Sequence, residues 1–169
     1  MKNNENNKMR EVILEKVVLS VGGSGDKLEK GFKLLKILTG KDPARMKSQK
    51  RIPTFGVRPK LEVGAMITLR KNAQEFLRRV LTAVDNTLKR KQVSENSFTF
   101  GIKEYIEIPG IEYQRDIGIT GLDVTVSFIR AGKRVKLKKA KSGKIPKRQH
   151  VSPEEIIKYM EENFKTKFV

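Results

Sequence analysis

Residues 12–21, VILEKVVLSV, are rich in branched apolar side chains and predict a strand. Gly22-Gly23-Ser24-Gly25-Asp26 breaks it, and Asp26 with Glu29 reads as an N-cap with its N3 acid, opening a helix. Leu28, Phe32, Leu35 and Leu38 recur at helical spacing until Thr39-Gly40 stops the run. From residue 61 the period changes to two. Leu61, Val63, Ala65, Ile67 and Leu69 share one face, while Glu62, Gly64, Met66, Thr68 and Arg70 share the other. Asn72 and Glu75 then predict a second helix start, with apolar positions at Ala73, Phe76, Leu77, Val80, Leu81, Val84 and Leu88.

Two further strands alternate in the same way. Phe98, Phe100 and Ile102 are interleaved with Thr99, Gly101 and Lys103; Leu122, Val124, Val126 and Phe128 are interleaved with Asp123, Thr125 and Ser127. Ser152, Pro153 and Glu155 open a last helix that presents Ile156, Ile157, Met160 and Phe164. Amphipathic helices with half-polar strands predict an α+β fold: an antiparallel sheet with helices packed on one face and the other face open. That open face would carry Ser20, Thr68, Arg70, Thr99, Lys103, Thr125 and Ser127. Small hydroxyl side chains let a sugar-phosphate backbone approach and offer it hydrogen bonds.

Charge then changes the picture. The 169 residues carry a net charge of +18, but residues 61–129 are neutral overall, while 41–60 carry +6 and 130–150 carry +10. Such an excess points to a polyanion partner. The first basic segment contains Pro43, Pro53 and Pro59 with Gly56, so it predicts a long semi-extended loop and not a helix or central strand. The second has ten basic residues and no acid: Arg130, Lys133, Arg134, Lys136, Lys138, Lys139, Lys141, Lys144, Lys147 and Arg148. Its self-repulsion predicts an arm that is mobile in isolation and settles against a polyanion.

Catalytic and metal chemistry find little support. The turn at 22–25 fails the dinucleotide fingerprint because position 28 is Leu28, and fails the phosphate-loop motif because Gly25 precedes Asp26. The lone His150 has no cysteine or second histidine with which to bind zinc. Glu104, Glu107, Glu112, Asp116 and Asp123 scatter over strand ends and turns, which disfavours a magnesium nuclease. Pro146 and Gly143 interrupt the arm, so it is no amphipathic membrane helix. A polar start and the absence of a long apolar run give the expectation of a soluble, intracellular, non-enzymatic protein without cofactor, metal or membrane partner.

The stretches MREVILEKVVLSVGGSGDKL, LTGKDPARMKSQKRIPTFGVRPKLEVGAMITLR, FTFGIKEYIEIPGIEY and DIGITGLDVTVSF follow one another from Met9 to Phe128. In that order they resemble the ribosomal protein L five family, the large-subunit proteins that bind 5S rRNA. The tail, KIPKRQHVSPEEIIKYMEENF, is similar to the archaeal form. The resemblance implies a sheet-side contact with 5S rRNA through Ser20, Lys41, Lys47, Thr68 and Arg70, and an arm that folds against ribosomal RNA. Ser20 stands where bacterial members commonly have Asn, and Lys41 where they commonly have Gln.

It also implies that the loop with Lys50, Arg51, Phe55, Arg58 and Lys60 reaches toward P-site tRNA and the bridge to the small-subunit head. The expected partners are therefore 5S rRNA, adjoining large-subunit rRNA, P-site tRNA and neighbouring ribosomal proteins, in the cytoplasmic ribosome. The expected organisation is a disordered start over 1–8, a core over 9–129 and a basic extension with its helix over 130–169. A different class of function, a general nucleic-acid chaperone acting through the arm, rests on the charge alone.

Overall fold

The computed structural model describes residues 7–169. Of the start expected to be disordered, residues 1–6 lie outside the described residues, and Lys8–Arg10 form a turn. The first strand, β1 (Ile13–Gly22), leads into α1 (Asp26–Thr39). After an edge strand β2 (Ala44–Lys47) come β3 (Glu62–Leu69) and α2 (Ala73–Thr82). Short strands β4 (Thr87–Leu88) and β5 (Val93–Ser94) precede the longer β6 (Ser97–Ile102) and β7 (Leu122–Ile129). A single turn of helix, α3 (Arg134–Leu137), lies in the basic arm; α4 (Pro153–Phe164) and β8 (Lys167–Phe168) close the chain.

Six strands form one antiparallel sheet in the order β2-β3-β1-β7-β6-β5, with β1 near its centre. The period-two pattern sets which face is buried. Val17, Leu19 and Val21 of β1 align with Leu69, Ile67 and Ala65 of β3, and Val17 and Leu19 also with Val126 and Val124 of β7, all under the helices. α1 and α2 cover the β1–β3 half through Leu28, Leu34, Leu35, Leu77 and Val80. α4 covers the other half, where Tyr159 meets Phe128 edge-on at 5.5 Å. α1 lies so close to the sheet that a Cβ on Gly31 would sit 2.6 Å from a Val21 methyl. The expected α+β arrangement, with helices on one face only, is therefore the one observed.

Several local expectations differ. Gly25, at φ 59°, caps α1 and Asp26 is its first residue, so the acid serves the helix dipole without a capping bond. Asn72 does occupy the cap of α2, but in a left-handed conformation and with no side-chain bond. α2 stops at Thr82 because Asp85 and Asn86 are both left-handed, at φ 51° and 52°, and turn the chain out of the helix. Leu88 is still buried, but in β4, where it pairs with Phe168 beside the C-terminus. The last helix opens as expected: the Glu155 amide donates to Ser152 Oγ, and the Ser152 amide donates to Glu155 Oε2 at 3.0 Å.

The first basic segment is not loop throughout. Its residues 44–47 form the edge strand, a position that tolerates the preceding Pro43 because one side of the strand needs no partner. Leu61, expected on the buried face, precedes β3 and is exposed.

Candidate nucleic-acid interface

Among the described residues no helix covers the second face of the sheet. Lys16, Val18 and Ser20 of β1 register with Met66 and Thr68 on one side and with Asp123, Thr125 and Ser127 on the other. Ser97, Thr99 and Gly101 extend the surface along β6. Thr99 and Thr125 hydroxyls meet across the strands at 3.1 Å. Lys16 and Asp123 are the only charges at these positions, so the surface is close to neutral and rich in hydroxyls. Gly64 and Gly101 lie flush with it. Such a surface is suited to a backbone contact made by shape and hydrogen bonding more than by charge.

Of the residues expected to touch RNA here, Ser20 and Thr68 are diagonal neighbours, since Ser20 faces Met66 and Val18 faces Thr68. That register sets them about 7–8 Å apart. Arg70, two residues beyond Thr68, is exposed just past the end of β3. Lys41 shares a shallow recess with Lys71 and Asn72 at the same end of β3. Lys47 stands apart, exposed at the far end of the edge strand.

Residues 48–61 extend the β2–β3 pair as a hydrogen-bonded hairpin. The Ser48 amide donates to Leu61 O, the Lys60 amide to Ser48 O, and Ile52 and Val57 exchange both backbone bonds at 2.9 and 3.0 Å. Gly56, at φ 64°, makes the tip turn that a side chain would strain. Phe55 stands at this tip with 79% of its surface exposed, among exposed Arg51 and Arg58. No residue from Gln49 to Lys60 is buried.

Arg45 is an exception among the cations of this segment. It hydrogen-bonds Glu62 at 2.9 Å, pairs with Glu29 at 2.9 Å and lies 5.0 Å from the centre of the Phe32 ring. The hydrogen bond to Glu62, followed by the charge of Glu29, raises its pKa and holds the guanidinium in its charged form. Its charge is answered within the fold. Lys41, Lys47, Lys50, Arg51, Arg58 and Lys60 have no ion-pair partner among the described residues.

The arm is tied at both ends. Arg130 pairs with Glu155 and donates to Arg148 O at 2.9 Å; only 11% of its side chain is exposed. Lys133 pairs with Glu15 of β1. Gln149 donates to Ala131 O at 2.7 Å, so the two ends of the arm are clamped together. The remaining eight basic side chains of the segment, Arg134, Lys136, Lys138, Lys139, Lys141, Lys144, Lys147 and Arg148, are all exposed. Sequence reasoning grouped Arg130 and Lys133 with these eight, because a charge pattern does not reveal which cations meet an acid far along the chain.

Asn96 was missed altogether. Left-handed at φ 62° in the β5–β6 turn, it accepts from the Val151 amide at 2.8 Å and so joins the arm's exit to the sheet. Asn between two short strands is the signal that would have flagged the turn.

The two basic elements leave opposite ends of β1. Gly22 pairs with Gly64 next to the hairpin, and Ile13 pairs with Ile129 next to the arm. Nine strand steps put these ends about 30 Å apart. The uncovered face runs between them. Among the described residues no three His, Asp or Glu side chains gather to hold a metal ion, and His150 faces Glu95 at 3.6 Å.

Comparison with known proteins adds an independent finding. Residues 7–58 match the family model described as ribosomal protein L5, and residues 62–152 match the model of the C-terminus of the same ribosomal family. The large ribosomal subunit protein uL5 of Sulfolobus acidocaldarius is 43% identical over 94% of this chain and 91% of its own. Those of Archaeoglobus fulgidus (41%, 92% and 89%) and Methanococcus maripaludis (40%, 98% and 95%) are similar in the same way.

Proposed function

Because the chain belongs to the ribosomal protein L5 family, whose members are structural and non-enzymatic constituents of the large ribosomal subunit, we propose that it binds 5S rRNA through the uncovered sheet face. In this reading the eight exposed arm cations engage adjoining large-subunit rRNA. The hairpin tip reaches away from the 5S contact, toward P-site tRNA and the small-subunit bridge. The protein works in the cytoplasmic ribosome as a spacer and clamp between RNA elements.

The observation that carries the proposal is the separation of charge from shape. A near-neutral, hydroxyl-lined face lies between two cationic elements at opposite ends of one strand. Cations supply affinity for any polyanion, whereas a flat face with Ser20, Thr68 and Thr125 at fixed spacing selects one backbone geometry.

Gel-shift titration against 5S rRNA and an unrelated RNA of equal length tests it. The expected result is tighter 5S binding that Ser20→Leu weakens selectively, by roughly ten-fold or more, the effect of one or two lost hydrogen bonds to a phosphate or ribose. Arg58→Ala and Lys60→Ala should leave 5S affinity nearly intact while weakening association with transfer RNA. Equal affinity of the unaltered protein for both RNAs at moderate salt would instead favour a general nucleic-acid chaperone acting through the arm.

A further inference from the structure

At the root of the arm, where β7 leaves the sheet and the chain returns into α4, a recess of about 180 Å³ opens. We propose that it receives one unstacked nucleotide of the bound RNA, base inward and phosphate toward Lys136; this rests on the RNA-binding reading above. Ile129 and Ile145 line it with apolar surface. Asn96 and Gln149 line it with side-chain amides, each of which spends one atom on the arm clamp: Asn96 Oδ1 accepts from Val151, and Gln149 Nε2 donates to Ala131. Their other atoms, Nδ2 of Asn96 and Oε1 of Gln149, have no partner among the described residues, which leaves one donor and one acceptor. A base presents apolar faces and an edge of mixed donors and acceptors, the complement of this lining.

One observation points to an anionic ligand. Lys136 lines the recess, is exposed and has no ion-pair partner among the described residues. Arg130 lines it too, but its charge is answered by Glu155 and it donates to Arg148 O. The volume is small beside the ~300–1,000 Å³ of ordinary ligand pockets, which suits a single base better than a larger cofactor.

The test titrates AMP, GMP, CMP and UMP separately into the ¹⁵N-labelled full chain, with inorganic phosphate, ribose 5-phosphate and a tetraglutamate peptide as controls. The expected result is saturable shifts confined to residues around 96, 128–136 and 145–150. At least one nucleotide should bind about ten-fold tighter than ribose 5-phosphate, the contribution of a buried base. Lys136→Ala should weaken every phosphate-bearing probe and preserve the preference for that base. Equal midpoints for the nucleotides and ribose 5-phosphate would overturn the proposal, as would shifts spread equally over residues 41–60. A peptide that binds the recess more tightly than any nucleotide would overturn it in favour of a protein ligand.

Ile145→Trp, which fills the recess from the arm, separates this proposal from the one beneath it. If the wild-type chain discriminates 5S rRNA and the filled variant binds that RNA equally well, the recess proposal falls and the RNA-binding reading stands. If the wild-type chain discriminates no RNA, the underlying reading falls whatever the mononucleotides do.

Discussion

The hairpin over residues 48–61 and the arm over 130–150 carry the same kind of charge on differently built supports. The hairpin is held along its length by backbone bonds, Ser48 to Leu61, Lys60 to Ser48 and Ile52 to Val57, and it continues a strand pair of the sheet. The arm is held at its ends, by Arg130 to Glu155, Lys133 to Glu15 and Gln149 to Ala131, with one short turn of helix between. The hairpin's ordering cost is met when the protein folds, so a target at its tip meets a preset shape. Held only at its ends, the arm would defer much of that cost to binding, as the proposed contact with a convoluted RNA surface requires. Clamped ends lower that cost, since a closed loop has fewer arrangements to lose than a free tail.

The largest effect should come from the arm. Replacing Lys138, Lys139, Lys141 and Lys144 together by Gln removes four of its eight exposed cations. The slope of log affinity for large-subunit rRNA against log salt should become shallower by about 3, and affinity at about 0.15 M salt should fall roughly 10²- to 10³-fold. Filter binding across a salt series measures both. An unchanged slope would mean that the arm does not touch phosphates, and the division of labour between arm and hairpin would be wrong.

Breaking the clamp should have a smaller effect, on stability more than on charge. Glu155→Gln keeps the acceptor for the Ser152 amide but leaves the mostly buried Arg130 without its counter-charge. The expected cost is about 1–2 kcal/mol, or roughly 2–8 °C in Tm for a chain of this length. The salt slope for RNA should not move, because the eight exposed cations remain. Calorimetry with the same salt series checks both halves. A steeper slope with unchanged Tm would place Arg130 among the RNA contacts and make the arm a free tail.

This contrast marks where the sequence was legible. Alternation in Leu61–Arg70 and Leu122–Phe128 fixes the buried face of each strand, because a one-residue slip would expose every apolar side chain. Ser152, Pro153 and Glu155 specify a helix start that involves only neighbouring residues, and it formed as expected. Long-range pairings carried no local signal. Glu15 meets Lys133 and Arg130 meets Glu155 only once the sheet has brought strand ends together, so ten arm cations looked alike. The edge strand was hidden for another reason: Pro43, Pro53 and Pro59 read as breakers, although two of them lie in the hairpin loop and one precedes the strand. The sheet face was legible as alternation, while its assignment to 5S rRNA came from the family resemblance.

A change confined to the hairpin should be felt only there. Gly56→Val forces a branched residue to φ 64° at the tip, a strain of about 1–2 kcal/mol. Because no residue from Gln49 to Lys60 is buried, the global Tm should hold. Exchange of the Ile52 and Val57 amides, which close the tip, should speed up roughly 5- to 30-fold, the same energy read as an opening equilibrium. Faster exchange across β3 as well would show that the tip and the sheet unfold as one unit, removing the distinction between preset hairpin and adaptable arm.

The finest test lies within the edge strand, where Arg45 and Lys47 are two residues apart. Arg45 is engaged by Glu29 and Glu62 and rests on Phe32, while Lys47 has no ion-pair partner among the described residues. A salt slope counts phosphates contacted and takes no account of total charge, so the two cations should separate cleanly. Lys47→Gln should make the slope for 5S rRNA shallower by about 0.7–0.9, one phosphate's worth. Arg45→Gln should leave the slope where it was and loosen the packing of β2 against α1, seen as faster exchange of the β2 amides that pair with β3. Equal slope changes for both would mean that Arg45 leaves its acids to meet the RNA. The edge strand would then behave like the arm, recruiting its cations on contact, and its likeness to the preset hairpin that continues it would end at Lys47.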